Sequence, residues 1–474
     1  MTAVQENDIA STGIEPATRT LARFAAELEF DAVPHEVVEA AKTLVLDCLG
    51  CTLYAAGLPW SRIVQDYVGA EGAAEIAGVW GTDRATSPAL AALANGTAGH
   101  GFEIDDVDHR SGLHVSSVTV PVVLALAEAE GGVRGTEFLA AVLAGVEIGV
   151  RVGIAISPGH FLRGYHPQGT IGPIAAAAAG SRALRLDGAR TAHAFGVAAS
   201  MAGGLMGAQQ GGMIKRFHAG LAGQGGVVAA RLAQRGFTGT DDVFDIDFGG
   251  FCSTLEGVPG ATERLVALMP GVGSEWMTPS VGYKLHASCA ANHSTLDVVQ
   301  DLRAEHDLTP DDVASVKVTT SHHTYVHCGW PYVPGDVVNA QMSLRYGVAA
   351  MLATGSAFVD QFTEERLADP QLLDLSRRVD VEADEAVDRL GSDNRHIVRV
   401  EIVKRDGTVL HGGAEHRRGS HFAPVGRDEI VAKFRQLTEP LKGVDGESIL
   451  SAVLSLDESD TVELAALLRS TGRS

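Results

Sequence analysis

Between Asn95 and Ser117 the chain reads NGTAGHGFEIDDVDHRSGLHVSS. Three histidines (His100, His109, His114) and four carboxylates (Glu103, Asp105, Asp106, Asp108) fall in this one stretch, between two Ala-rich segments. A connection between helices needs only a turn and a few polar residues. Imidazoles and carboxylates at this density can give and take protons near neutral pH. Acid/base chemistry is the first implication and a metal site the second. His109 and His114 with an Asp could ligate zinc, but neither a His-Glu-x-x-His pattern nor a zinc-type Cys/His spacing is present. The bland alternative is a polar loop whose carboxylates cap helices and whose histidines face solvent.

Three further stretches carry candidate chemistry. In GYHPQGTIG, His166 stands in a Gly-bounded turn just before a helix. In GGLMGAQQGGMIKRFHAGLAGQGG, Lys215 and Arg216 are the only Lys or Arg among small and apolar residues. A lysine in such a setting is poorly explained by solubility, and partial burial would demand an anionic partner such as a substrate carboxylate. YKLHASCAANH gathers Tyr283, Lys284, His286, Cys289 and His293. Cys289 could be a nucleophile, but no single His partner follows from spacing, so a small buried residue fits better. No G-x-G-x-x-G after a strand, P-loop or G-x-S-x-G is present, so nucleotide binding finds no support.

The elements that must position these groups are mostly helical up to about Trp276. Pro34-His35-Glu36 opens a helix with apolar residues at helical spacing, Ser87-Pro88 opens another, and Thr136 is the candidate N-cap of a third. Segments 171–186 and 192–201 continue the pattern. The 55 glycines, with abundant alanine, predict close helix packing rather than a coiled coil. Beyond Met277 the pattern changes. Ala314–Ser321 alternates like a strand, and His396–Leu410 reads as a hairpin turning at Arg405-Asp406-Gly407-Thr408. Ala340–Leu352 reads as helix between them, and helices return from Arg427. The expected fold is mainly α: a large all-helical domain (1–277, with 1–15 disordered), an inserted smaller α+β lid domain (278–416), and C-terminal helices (417–474) returning to the helical domain.

Composition narrows the partners. Against 37 Lys and Arg stand 59 Asp and Glu, a formal charge of −22. That disfavours nucleic acid and anionic membrane, while a few local cations can still hold an anionic metabolite. Acidic runs such as Asp241–Asp247 read as solvated surface. Five cysteines, an odd number, suggest a reducing compartment. Cys48 and Cys51 are spaced like a redox pair, yet sit in an apparent buried helix. The polar start lacks the pattern of a signal peptide, and the apolar stretches are interrupted or short, so a soluble cytoplasmic protein is expected.

Taken together, LDCLGCTLYAAG, NGTAGHGFEIDDVD followed by LHVSS, GYHPQGTIG, MIKRFHAGLAGQGG, YKLHASCAANH and NAQMSLRYGVA occur in an order that resembles the MmgE/PrpD family. That family includes 2-methylcitrate dehydratases, cis-aconitate decarboxylases and iminodisuccinate epimerases. The resemblance implies a homodimer and a site between the two domains. It also implies chemistry without metal or organic cofactor on a small anionic carboxylate. His114, His166, Lys215 and Glu103 match catalytic positions; Glu103 stands where Asp is frequent. Asp105, Lys284, His286, Cys289, Tyr332 and Arg345 are the substrate-binding candidates. Glu103 or Asp105 would orient a histidine, and Asp106 would serve structure only. The expected reaction is dehydration of a β-hydroxy di- or tricarboxylate, with His114 and His166 sharing the acid and base roles in an order left open. Epimerisation, decarboxylation and non-enzymatic binding are the alternatives. The decarboxylase branch carries a His where this chain has Cys289, which counts against decarboxylation.

Overall fold

A computed structural model describes residues 15–470. The disorder expected for residues 1–15 lies outside this range except at Glu15. The fold is mainly α, and two apolar cores organise it. The first gathers residues between Ala17 and Val281 and then Phe434 to Leu468. The second is built from Ala287 to Leu410, joined by Cys51, Trp60, Phe102 and Ile104 from the helical part and by Leu437.

Small residues set the spacing in the first core. Helix Ile214–Gln234 packs on Pro88–Gly99 and on Gly172–Ala183, which in turn packs on Gly135–Ile156. A Cβ on Gly220 would sit 2.2 Å from Thr97 Oγ1 and 2.3 Å from the Leu93 carbonyl oxygen. Glycine there is what lets two helix backbones meet. Helix Gly135–Ile156 is long and apolar enough to cross a membrane, but 94% of its apolar window is buried inside the protein. Its charged pair is internal: Arg151 Nη1 donates to Glu147 Oε2 at 2.6 Å. Glu147 also accepts the backbone N–H groups of Met277 and Thr278, pinning the chain where it leaves the helical part.

In the second core four strands run in the order Val379–Ala383, Val313–Thr320, Val398–Lys404, Val409–Ala414. The first pair is parallel and the others antiparallel. Val316, Val318, Val379, Val381, Val400 and Ile402 are buried on the face that helices His293–Glu305 and Leu344–Thr354 cover. The hairpin follows the alternation read from sequence.

Several local expectations need correction. Thr136 lies inside its helix, whose N-cap is Arg134 with no side-chain cap. Ala340–Leu352 is broken into Val337–Met342 and Leu344–Thr354, because Ser343 adopts an extended backbone and its hydroxyl caps the second piece at Tyr346 N–H. The helical part also holds one short ladder, Ala77–Gly78 with Ala85–Thr86. Asp245 is not solvated: it accepts the N–H groups of Ala17 (2.7 Å) and Thr18 (3.0 Å) at the start of the first helix. Cys48 and Cys51 are buried in helix His35–Ala56, and all five cysteines are free thiols.

The close helix contact makes a direct prediction. Gly220→Ala is expected to destabilise by about 1–3 kcal/mol through overpacking. Gly57→Ala, where an added Cβ meets nothing within 4 Å, should leave the thermal midpoint nearly unchanged. Thermal unfolding of both variants checks this; equal midpoints would contradict it.

Candidate active site

The acidic stretch crosses between the two cores, and its alternation fixes its chemistry. Phe102 and Ile104 are buried in the second core, where Phe102 meets Tyr54 and Trp60 at ring-centroid distances of 5.2 and 6.4 Å. Glu103 between them takes a left-handed backbone, φ 48°. Such a conformation in a residue other than glycine costs on the order of 1–3 kcal/mol. Two ammonium groups oppose that cost. Lys215 Nζ donates to Glu103 Oε1, and Lys284 Nζ donates to Oε2 at 3.1 Å. Burial works against the carboxylate charge, but the two lysines hold Glu103 well below the usual carboxylate range. Burial likewise opposes the Lys284 ammonium, and Glu103 with Asp105 nevertheless raises it above its ordinary value.

Asp105 stands behind two imidazoles. His100 Nδ1 lies 2.7 Å from Asp105 Oδ2, and His114 Nδ1 lies 3.2 Å from the same oxygen without hydrogen-bond alignment. Burial pushes His100 down to about 3, with Lys215 and His114 adding to the effect. At neutral pH His100 is therefore uncharged. Its Nδ1–H donates to Asp105, and its Nε2 lone pair faces Lys215 Nζ at 3.3 Å. Asp105 itself is held well below its ordinary value by His114, His100 and Lys284 in spite of burial. Asp106 has the structural role expected of it. It accepts Val115 N–H at 3.0 Å and the Ser116 hydroxyl at the start of helix Ser116–Ala129, while burial and Asp105 push it up to about 8.

Gln168 sets His114 in place, accepting its N–H at 3.0 Å and donating to its carbonyl at 2.9 Å. His166 begins the short turn Pro167–Thr170, and its Nδ1 lies 2.8 Å from His218 Nδ1. One ring must donate and the other accept, so the pair cannot be doubly protonated. Burial, then Lys215, holds His166 well below its ordinary value.

One cavity joins these groups. Its wall includes Glu103, His114, His166, Lys215, Lys284 and Cys289. All four catalytic candidates and two of the six substrate-binding candidates thus meet there. The other four need correction. Asp105 is absent from the wall and lies behind His100 and His114. His286 turns away and bonds Asp297 Oδ1 at 2.9 Å. Arg345 is spent on the Val379 carbonyl and Asp380. Tyr332 packs on Tyr346 at 5.1 Å between centroids, away from the cavity wall. Arg216 also points elsewhere, donating to the Gly101 carbonyl at 2.8 Å and lying 4.2 Å over the Trp60 ring.

The cavity also contains groups not singled out from sequence: Arg110, Arg395, Arg417, His323, His327 and His396. Arg395 Nε, Arg417 Nε and Arg417 Nη2 are buried without hydrogen-bond partners, as are both ring nitrogens of His109. Burial lowers Arg417 to about 10. Unpartnered guanidinium donors beside a cavity are suited to a carboxylate. Five cations therefore share one cavity wall in a protein of net charge −22.

Family matches cover most of the chain. The MmgE/PrpD N-terminal domain matches residues 19–261 and the MmgE/PrpD C-terminal domain residues 286–458. The chain belongs to the MmgE/PrpD family. Among its relatives is a cis-aconitate decarboxylase-like protein of Aspergillus oryzae, 31% identical over 95% of this chain and 97% of the relative. A cis-aconitate decarboxylase of Aspergillus terreus is 30% identical over 99% and 98%. The human cis-aconitate decarboxylase is 27% identical over 91% and 90%. MmgE/PrpD membership accounts for the sequence motifs meeting in one place.

Two expectations follow from this geometry. Asp105→Asn replaces the carboxylate that selects the His100 tautomer with an amide that can present N–H to the ring, and is expected to lower turnover by about 10²–10⁴, with the fold retained by circular dichroism; wild-type turnover would contradict the role. Histidine burial also shapes stability against pH. His100 and His323 sit at about 3 and His160 at about 4, all below the ordinary 6.5. The folded state then binds fewer protons than the unfolded one below pH 6.5. Stability is complete above that pH and declines as pH falls toward the folded values, by up to ~1.4 kcal/mol per histidine per pH unit. A thermal midpoint that falls between pH 7 and pH 5 is the expected result, and a flat profile the contrary one.

Proposed function

We propose that the protein is a cofactor-independent lyase that decarboxylates a small unsaturated tricarboxylate of the cis-aconitate type. The observation that carries this reading is the pairing of two cation sets with neutral imidazoles in one cavity. Lys215 and Lys284 surround Glu103, whereas Arg395 and Arg417 keep donors free. A substrate with several carboxylates has a partner for each set. The names of the relatives support the same reaction and shift the weight from dehydration to decarboxylation.

In this reading the C–C bond to one carboxylate breaks and carbon dioxide leaves. The electron pair spreads over the allylic carbons toward a remaining carboxylate, where lysine and arginine donors stabilise it. A histidine N–H then delivers a proton to the far allylic carbon, and solvent restores it. His114, backed by Asp105, is the assigned donor. The polyanion offsets the positive potential of an otherwise cationic cavity. The cysteine at position 289 is balanced by imidazoles on the same wall: His327 Nδ1 lies 3.9 Å from Cys289 Sγ.

Dehydration of a β-hydroxy acid is the second reading, and the His166–His218 contact favours it. With His166 Nδ1 donating to His218, the His166 Nε2 lone pair is a base for an α-proton, while His114 protonates the leaving hydroxyl. Both reactions share a carboxylate-stabilised carbanion, so the same cations serve either. We also propose a homodimer. Met201, Leu205, Ile214 and Leu221 are exposed and line a surface hollow.

Proton NMR in heavy water with cis-aconitate, citrate and 2-methylcitrate separates the readings. Exomethylene signals from cis-aconitate are expected. An alkene formed from a hydroxy acid would replace decarboxylation with dehydration, and deuterium entering an α position without net product would replace it with epimerisation. No change with any substrate by folded protein would overturn the lyase reading. Light scattering should give twice the mass of one chain; the single-chain mass would refute the dimer.

A further inference from the structure

One cluster at the edge of the cavity brings together two thiols that the proposed proton transfers do not use. Cys289 precedes the turn Ala290–Asn292, while His327 and Cys328 end the helix His322–Cys328. Cys289 Sγ lies 3.9 Å from His327 Nδ1, and the three donor atoms of Cys289, His327 and Cys328 all lie within 4.8 Å of one another. We propose that these three residues form a binding site for a soft divalent cation of the zinc class, and that its occupancy blocks the cavity.

The donor set argues for this chemistry. Two thiols and an imidazole select zinc-like cations over magnesium or calcium, which prefer oxygen ligands. Zinc–sulfur bonds of about 2.3 Å and zinc–nitrogen bonds of about 2.0 Å place tetrahedral ligands roughly 3.5–3.8 Å apart, so closure needs side-chain shifts of only about 1 Å. The scaffold is held on both sides. Cys289 N–H donates to the Gln341 carbonyl at 2.9 Å, and the Ser321 hydroxyl caps the helix while donating to the Arg395 carbonyl at 2.6 Å.

Thiolate ligands supply the negative charge that lets a dication sit in a cationic cavity. The other cluster of candidate ligands, His100, Asp105 and His114, has no thiol. There His100 Nε2 faces Lys215, and Asp105 lies 3.7 Å from Lys284, so a dication would meet two ammonium groups. At the cysteine site, Cys289 and His327 line the cavity and Cys328 does not. Three protein ligands leave a fourth position toward the cavity, where the cation would take a substrate carboxylate into an unproductive pose. The block on turnover rests on the lyase reading; the binding does not.

Chelator-treated protein titrated with cobalt(II) under exclusion of oxygen tests the site. A sulfur-to-cobalt charge-transfer band saturating at one equivalent, and displaced by zinc, is expected. Its absence overturns the site whether or not the lyase reading stands. Cys328→Ala and Cys328→Ser should retain basal turnover. They should weaken cobalt binding by more than the ~10–100-fold that loss of an outer-shell partner costs. Zinc should suppress turnover of the parent protein and not of these variants. Equal suppression in a folded variant would overturn the assignment.

Discussion

The arrangement depends on one buried carboxylate. Glu103 is held in a left-handed backbone between two apolar anchors, Phe102 and Ile104, and is met by two lysines from distant parts of the chain. Lys215 comes from the start of a body helix and Lys284 from the segment that begins the α+β part. A buried charge without a partner is costly, and removing one member of such a cluster typically costs about 3–5 kcal/mol. The cluster therefore does two things. It ties the acidic stretch to both cores, and it fixes two lysine side chains at the cavity wall.

Burial sets the state of the imidazoles, and the positive potential of that wall adds to it. His100, His166 and His218 are all pushed down by burial, with Lys215 contributing in each case. Neutral rings thus stand beside fixed cations. An incoming polyanion reverses the local potential, satisfies the free guanidinium donors and makes protonation of a ring favourable. In the proposed reaction, binding and proton supply are coupled through the same charges.

Much of this was legible in the chain before folding was considered. Lys215 stood out because nothing around it resembled surface, and Glu103 and His114 because their density exceeded the needs of a loop. The helix-to-strand change near Met277 followed from periodicity alone. What escaped detection depended on tertiary proximity. Arg395 and Arg417 sit in short polar segments that resemble ordinary surface, and only the fold turns them inward. The paired basic and imidazole residues Arg395-His396 and His416-Arg417, in so acidic a chain, were the available signal. Gln168 lay inside a motif already noticed, but its grip on the His114 backbone needs a partner 54 positions away. Arg345 and His286 failed for the converse reason: each had a carbonyl or carboxylate closer than the cavity.

The most direct test is proton linkage on binding a saturated tricarboxylate that neither reaction consumes. Titration calorimetry at pH 7 in buffers of different ionisation enthalpy measures it. The account predicts binding with net uptake on the order of one proton by the protein. It also predicts loss of affinity in the Arg395→Met and Arg417→Met variants. Binding with no proton exchange, unaffected by those substitutions, would contradict the coupling of cation sets to neutral imidazoles.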